Sequence, residues 1–251
     1  MTAPIEAVVV VVPAHDEEEL LPGALDALAE ARGAVASGGG PPVDVVVVAD
    51  ACRDSTAEVA RSAGVRVVEV ALRSVGRARA AGVADGMDRL RHLSPERVWV
   101  ATTDADSVVP PGWLAHQVAL ADAGADLVLG TVDVQDWSQH PPQVEGRWRA
   151  AYEARDGHRH VHGANAGARA DAYLEVGGFA AVDREEDVAL AAALSHRRVV
   201  RTGVLPVVTS ARHRGRAPGG FAGHLALLGR AAEVAQWAGS QGSGSTSVEL
   251  T

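Results

Sequence analysis

Asp104-Ala105-Asp106 is the stretch of this chain best equipped for chemistry. Two carboxylates one residue apart offer hard oxygen donors, the set that suits Mg²⁺ or Mn²⁺, and such an ion can also hold a phosphate. The pair follows an apolar run, residues 98–101, and precedes Pro110-Pro111. The run reads as a buried strand that the prolines prevent from continuing. A lone Asp-x-Asp could equally be a solvated acidic turn. Here, however, acids recur where two other apolar runs end: Asp16 and Glu17 after residues 7–12, Asp50 and Asp54 after residues 43–49. In an open α/β sheet ligands collect at the carboxyl ends of the strands, so the three acid pairs are expected along one rim.

The elements that must position them alternate. Runs 7–12, 43–49, 65–70 and 98–101 are expected as strands. Between them, Leu20, Leu21, Leu25 and Leu28 fall at helical spacing, with Glu17–Glu19 expected in the first turn, where the helix dipole favours acids. Asp54 or Ser55 can cap a short helix over 56–63, and 74–93 reads as another, opening with Arg77 and Arg79. A guanidinium fork fits phosphate, so both arginines are candidates for that contact; the alternative is a solvated helix face. Strand–helix alternation implies a parallel sheet with right-handed crossovers. The second half is less regular: helices over 111–123 and 142–156, near 171–176, over 188–194 and over 220–238, with strands over 126–130 and 204–209. A Gly/Ser-rich tail, 239–251, is expected to be disordered.

Composition narrows the function. The chain has 251 residues, 47% of them hydrophobic and 22% charged, as in ordinary globular proteins. Its net charge of −9 argues against a nonspecific nucleic-acid binder. Cys52 is the single cysteine, which excludes an intramolecular disulfide and a cysteine zinc cluster. The start lacks a basic leader, and run 7–12 is too short for a membrane span. The expectation is a soluble, cytoplasmic protein with no transmembrane segment. His158, His160 and His162 alternate and would share one face of a strand, but with no second ligand set they are read as surface histidines, not zinc ligands.

Taken together, Val-Pro-Ala-His-Asp-Glu-Glu, Val-Ala-Asp-Ala-Cys-Arg-Asp-Ser-Thr, Thr-Asp-Ala-Asp-Ser, and Gly-Gly-Phe followed by Glu-Glu-Asp-Val-Ala-Leu resemble, in order and spacing, the motifs of family 2 glycosyltransferases over about residues 7–230. The resemblance implies a single α/β GT-A domain, residues 1–238, with a mostly parallel nucleotide-binding sheet flanked by helices. A nucleotide-sugar half (about 1–130) would be followed by an acceptor half (about 131–238). It implies a nucleotide-diphosphate-sugar donor of UDP or GDP type, UDP being the more frequent in the family. It also implies a hydroxyl acceptor, a Mg²⁺ or Mn²⁺ cofactor and inversion at the anomeric carbon. Carried over, Pro13, Ala14 and Glu17 match the nucleotide-binding turn after the first strand, and Asp50 the acid that faces the nucleobase. Asp106 matches the metal ligand, Asp104 a ribose or metal contact, and Asp187 the base that takes the acceptor proton. Asn165, in His-Gly-Ala-Asn-Ala-Gly, resembles an acceptor or donor-sugar contact. His213, between Arg212 and Arg214, resembles a late histidine that completes metal binding in some GT-A enzymes.

The chain departs from the pattern at the second motif, where Ala49-Asp50-Ala51-Cys52 replaces the common Asp-Asp-Gly-Ser. It also lacks the aromatic acceptor motif of processive synthases, so transfer of one sugar fits better. Three alternatives stay open: a retaining GT-A transferase, a sugar nucleotidyltransferase, and a catalytically silent nucleotide-sugar-binding homologue. The second is disfavoured by an acidic first turn and a chain without lysine. The third is disfavoured by the presence of Asp104, Asp106 and Asp187.

Overall fold

The computed structural model describes residues 2–182, 185–212, 221, 223 and 225–228. His213, the 239–251 tail and most of the expected 220–238 helix lie outside them. Among the described residues, no helix is long and apolar enough to cross a membrane. The chain divides into two compact units, one of Met1–Gln135 with Glu153–Ser210, the other of Asp136–Tyr152 with the residues from Ala211 on.

The valine-rich runs form the strands expected of them. β1 (Ala7–Ala14) pairs in parallel with β2 (Val43–Asp50) on one side and β4 (Val98–Thr102) on the other, and β3 (Arg66–Val70) extends β2. Successive side chains of a strand point to opposite faces, and both faces of β1 are covered. Val8, Val10 and Val12 pack with α1 (Leu21–Ser37) and α4 (Trp113–Asp122). Val9 and Val11 pack with α3 (Val75–Arg89), α6 (Ala170–Glu175) and α7 (Glu186–Ala193). A short α2 (Thr56–Ser62) links β2 to β3. Gly82 and Gly86 of α3 let that helix press onto β1: a Cβ on either would lie 2.5 Å from a methyl of Val11 or Val9.

Beyond β4 the sheet changes character. β7 (Ala166–Arg169) runs antiparallel to both β4 and β6 (Leu127–Asp133). β8 (Val199–Thr209) continues parallel to β6, and the two-residue β5 (Ser107–Val108) closes the order β3-β2-β1-β4-β7-β6-β8-β5. Strand order switches at β1, whose neighbours β2 and β4 carry the acid-bearing loops at the same end. One expectation changes. The acids Glu17–Glu19 precede α1 rather than occupying its first turn, because Pro22 sits in that turn and the helix begins at Leu21.

The smaller unit holds α5 (Pro142–Ala151). Trp148 of α5 stacks on Tyr152, ring centroids 4.6 Å apart, and meets Trp137 at 5.5 Å.

Candidate active site

The loops after β1 and β2 are sewn together by their own polar groups. Asp16 accepts the Arg53 N–H at 2.7 Å, Glu18 accepts that of Ser55 at 2.9 Å, and Asp54 accepts that of Glu18 at 3.1 Å. The buried Thr56 hydroxyl accepts the Glu17 N–H at 2.8 Å. Burial works against the charge of Asp54, yet hydrogen bonds from the Thr56 hydroxyl and the Glu18 and Thr56 N–H groups hold its carboxyl below the usual range. The Cys52 thiol donates to the Ala14 carbonyl, and burial pushes it up from its ordinary value. Ligand atoms of Asp16, Cys52 and Asp54 lie within 4.8 Å of one another, but each of the three side chains already takes part in this stitching. Pro13 and Ala14 end β1 beside this seam, and buried Glu17 follows them.

Asp50, at the end of β2, is buried and clamps a third loop. Its Oδ1 accepts the N–H groups of Leu72 and Arg73 at 2.6 and 2.8 Å, and its Oδ2 accepts that of Ser74 at 2.9 Å. The clamp sets the entry to α3, where the Ser74 hydroxyl accepts the Arg77 N–H. Arg77 is exposed on the first turn of α3.

At the end of β4 the chain turns through Asp104 and Asp106 into β5. Ser107 bonds both Asp106, at 3.4 Å, and Thr209 of β8, at 3.0 Å. Arg79, only 3% exposed, reaches this turn from α3. Its Nη2 donates to Asp104 Oδ1 at 2.5 Å and its Nη1 to buried Glu186 at the start of α7. Burial opposes the charge of Arg79, but the carboxylates of Asp104, Glu186 and Asp187 outweigh it and hold the guanidinium above its usual value. Burial pushes the Glu186 carboxyl up, against the pull of Arg79.

Asp187 is partly exposed and oriented by backbone: Oδ2 accepts the Gly163 N–H at 2.7 Å and Oδ1 the Val188 N–H at 2.8 Å. The Gly163 carbonyl in turn accepts the Thr102 hydroxyl at 2.6 Å. A Cβ on Gly163 would lie 2.3 Å from Arg79 Nη2, so only glycine lets the chain cross the guanidinium there. The end of β4, the Asp104 turn, Gly163 and Asp187 thus form one connected assembly.

Other expected site residues serve the fold. Asn165 is buried, accepts the Trp113 indole N–H at 2.8 Å, and donates to the carbonyls of Thr131 and Leu205 at 2.8 and 3.3 Å. Both amide donors are thereby engaged inside the protein. His158, His160 and His162 do share a face, as a stacked ladder with centroids 5.7 and 5.8 Å apart. The innermost, His158, is fully buried against the Leu129 carbonyl, which corrects its reading as a surface residue. Arg79, expected with Arg77 as a phosphate contact, is instead buried and paired with Asp104 and Glu186; Glu186, Gly163 and Thr102 were not singled out by the motifs. The burial of Arg79 had a signal: Gly76, Arg79, Gly82 and Gly86 recur at helical spacing, and a helix face of glycines is one that a neighbour approaches closely.

A model of the family described as glycosyl transferase family 2 matches residues 9–177. No curated protein sequence matches the chain. Among solved structures, one reported as a mycobacterial protein superimposes with a TM-score of 0.56 at 16% identity, covering 90% of this chain and 71% of that one. Glucosyl-3-phosphoglycerate synthase from Mycobacterium tuberculosis, in complex with Mn²⁺, UDP and glucosyl-3-phosphoglycerate, gives 0.53 at 15%, covering 90% and 76%. The same enzyme with Mn²⁺ and UDP-glucose gives 0.52 at 15%, covering 98% and 83%.

Proposed function

The chain belongs to glycosyl transferase family 2, and from that premise we propose that it moves one sugar, with inversion, from a nucleotide-diphosphate sugar of UDP type to a hydroxyl acceptor. The observation that carries this reading is the juxtaposition of the Asp104–Asp106 turn with Asp187 through Arg79 and Gly163. Donor-side acids and a partly exposed carboxylate set by two N–H bonds are what a direct displacement requires.

In this reading Asp187 receives the proton of the acceptor hydroxyl while that oxygen bonds the anomeric carbon and the bond from carbon to diphosphate oxygen breaks. The Gly163 and Val188 N–H groups fix the carboxylate's orientation while leaving it lone pairs for a proton. Asp106, with Asp104 beside it, would hold Mg²⁺ or Mn²⁺; two carboxylates of this hardness fit such an ion. When bound, the ion supplies charge neutralisation for the departing diphosphate. Arg77, exposed on the first turn of α3, would meet phosphate. Asp50 shapes the nucleobase side by fixing the loop through Ser74. Pro13, Ala14 and Glu17 form the adjoining wall. UDP and Mn²⁺ are further favoured because glucosyl-3-phosphoglycerate synthase, one of the structural neighbours, was crystallised with Mn²⁺ and UDP or UDP-glucose.

The test is calorimetric titration of UDP, GDP and dTDP and their sugars, each with Mn²⁺ and with EDTA. Binding of UDP in Mn²⁺ alone is the expected result. No binding of any nucleotide under either condition would overturn the donor assignment.

A further inference from the structure

Arg79 is the point where four parts of the candidate site meet. Its side chain leaves α3, its two terminal nitrogens diverge to Asp104 on the β4 turn and Glu186 on α7, and Gly163 lies flat against it. Phe179 covers a further side, its ring centroid 5.9 Å from the guanidinium carbon. With 3% of the side chain exposed, Arg79 is enclosed by the protein and has no surface to offer a substrate. Its charge is still set by the site, since Asp104, Glu186 and Asp187 all act on it.

A planar fork can hold two carboxylates in fixed directions at once, which an ammonium cannot do. Resting on the glycosyltransferase reading, we propose that Arg79 is a positioning residue. It fixes the separation between the donor-side Asp104 turn and the acceptor-side start of α7, and so holds Asp187 in register with the donor. Asp187 follows Glu186 directly, and its carboxylate is tied to the same Gly163 that crosses Arg79. A shift of Glu186 therefore carries the base with it. Displacements of about 1 Å in such an arrangement cost on the order of 10²-fold in rate.

The experiment compares wild type, Arg79→Lys and the double variant Arg79→Met/Glu186→Met. The double variant removes both members of the buried pair, a change that proteins tolerate better than loss of one. Two quantities are read: turnover with saturating donor, divided by the sites that bind UDP with Mn²⁺, and hydrogen exchange of the amides at Gly163 and along α7. Turnover per binding site is expected to fall on the order of 10²-fold in each variant, with the donor KM within about threefold of wild type. Exchange at Gly163 and α7 should quicken by about tenfold or more while the amides of β1 and β4 keep their protection. Unchanged turnover per binding site, or unchanged local exchange in whichever variant folds, overturns the proposal, because a merely structural pair would change only the folded fraction. If wild type neither binds nucleotide nor transfers sugar, the glycosyltransferase reading fails, and the exchange measurement alone decides the role of Arg79.

Discussion

The Gly163 N–H points into Asp187 Oδ2 over 2.7 Å, so the acid assigned the acceptor proton is held by the segment whose carbonyl is bound to Thr102 at the end of β4. Asp187→Asn keeps the shape and one carbonyl acceptor but removes the base. Transfer should fall by about 10²- to 10⁴-fold, the usual contribution of a positioned general base. Donor binding in Mn²⁺ should stay near wild type. Loss of donor affinity alongside rate would mean that Asp187 belongs to the donor site instead.

Asp106→Ala tests the opposite half. Asp106 is the carboxylate assigned first to the ion, with Asp104, which Arg79 orients, beside it. The variant should weaken UDP binding in Mn²⁺ towards the level that wild type shows in EDTA. Identical titration curves for the variant and wild type in Mn²⁺ would remove Asp106 from the metal site.

Asp50→Asn separates clamp from contact. An amide group cannot accept a hydrogen bond at its nitrogen, so either the Ser74 N–H or the pair from Leu72 and Arg73 loses its partner. Leaving a buried donor unpaired costs about 1–3 kcal/mol. Denaturant unfolding should show that loss. A variant as stable as wild type would show that the loop does not depend on Asp50.

The parts legible in the sequence were those governed by one rule. β1 and β2 are valine runs and β4 a short apolar one because both of their faces are covered, and runs of that kind are visible in any reading of the chain. β7, Ala166–Arg169, was not legible because its residues are chosen by space, not strand propensity. A Cβ on Gly167 would lie 2.1 Å from Gln117 Oε1 and 2.5 Å from Trp99 Nε1, a buried pair bonded to each other beneath it. The same limit applies to Asn165 and Arg79. Both are polar residues in promising motifs, and what separates them is which partners the fold brings within reach. Asn165 meets Trp113 and two carbonyls, whereas Arg79 meets the acids of the site.

Two glycines make a paired test of close packing. A Cβ on Gly82 would sit 2.5 Å from Val11 Cγ1 and 2.7 Å from Val48 Cγ2, whereas one on Gly23 of α1 would meet nothing within 4 Å. Overpacking costs about 1–3 kcal/mol, while replacing glycine by alanine inside a helix gains roughly 1 kcal/mol. Gly82→Ala should therefore lower Tm and Gly23→Ala should raise it. Equal shifts in the two variants would show that α3 lies further from β1 than this packing requires.

Asp54 gives the stability a pH dependence whose sign can be worked out. Hydrogen bonds from Thr56 and Glu18 hold its carboxyl below 3.8, the ordinary value it would regain on unfolding. The unfolded chain then binds the proton more readily than the folded one. The contribution is fully present above that ordinary value and is lost as pH falls through the lower, folded one. Asp54→Asn should flatten the part of the Tm-against-pH curve below about pH 4 and leave the slope near neutrality untouched. A variant curve parallel to wild type through the acid range would mean that the stitching between the β1 and β2 loops does not depend on the charge of Asp54.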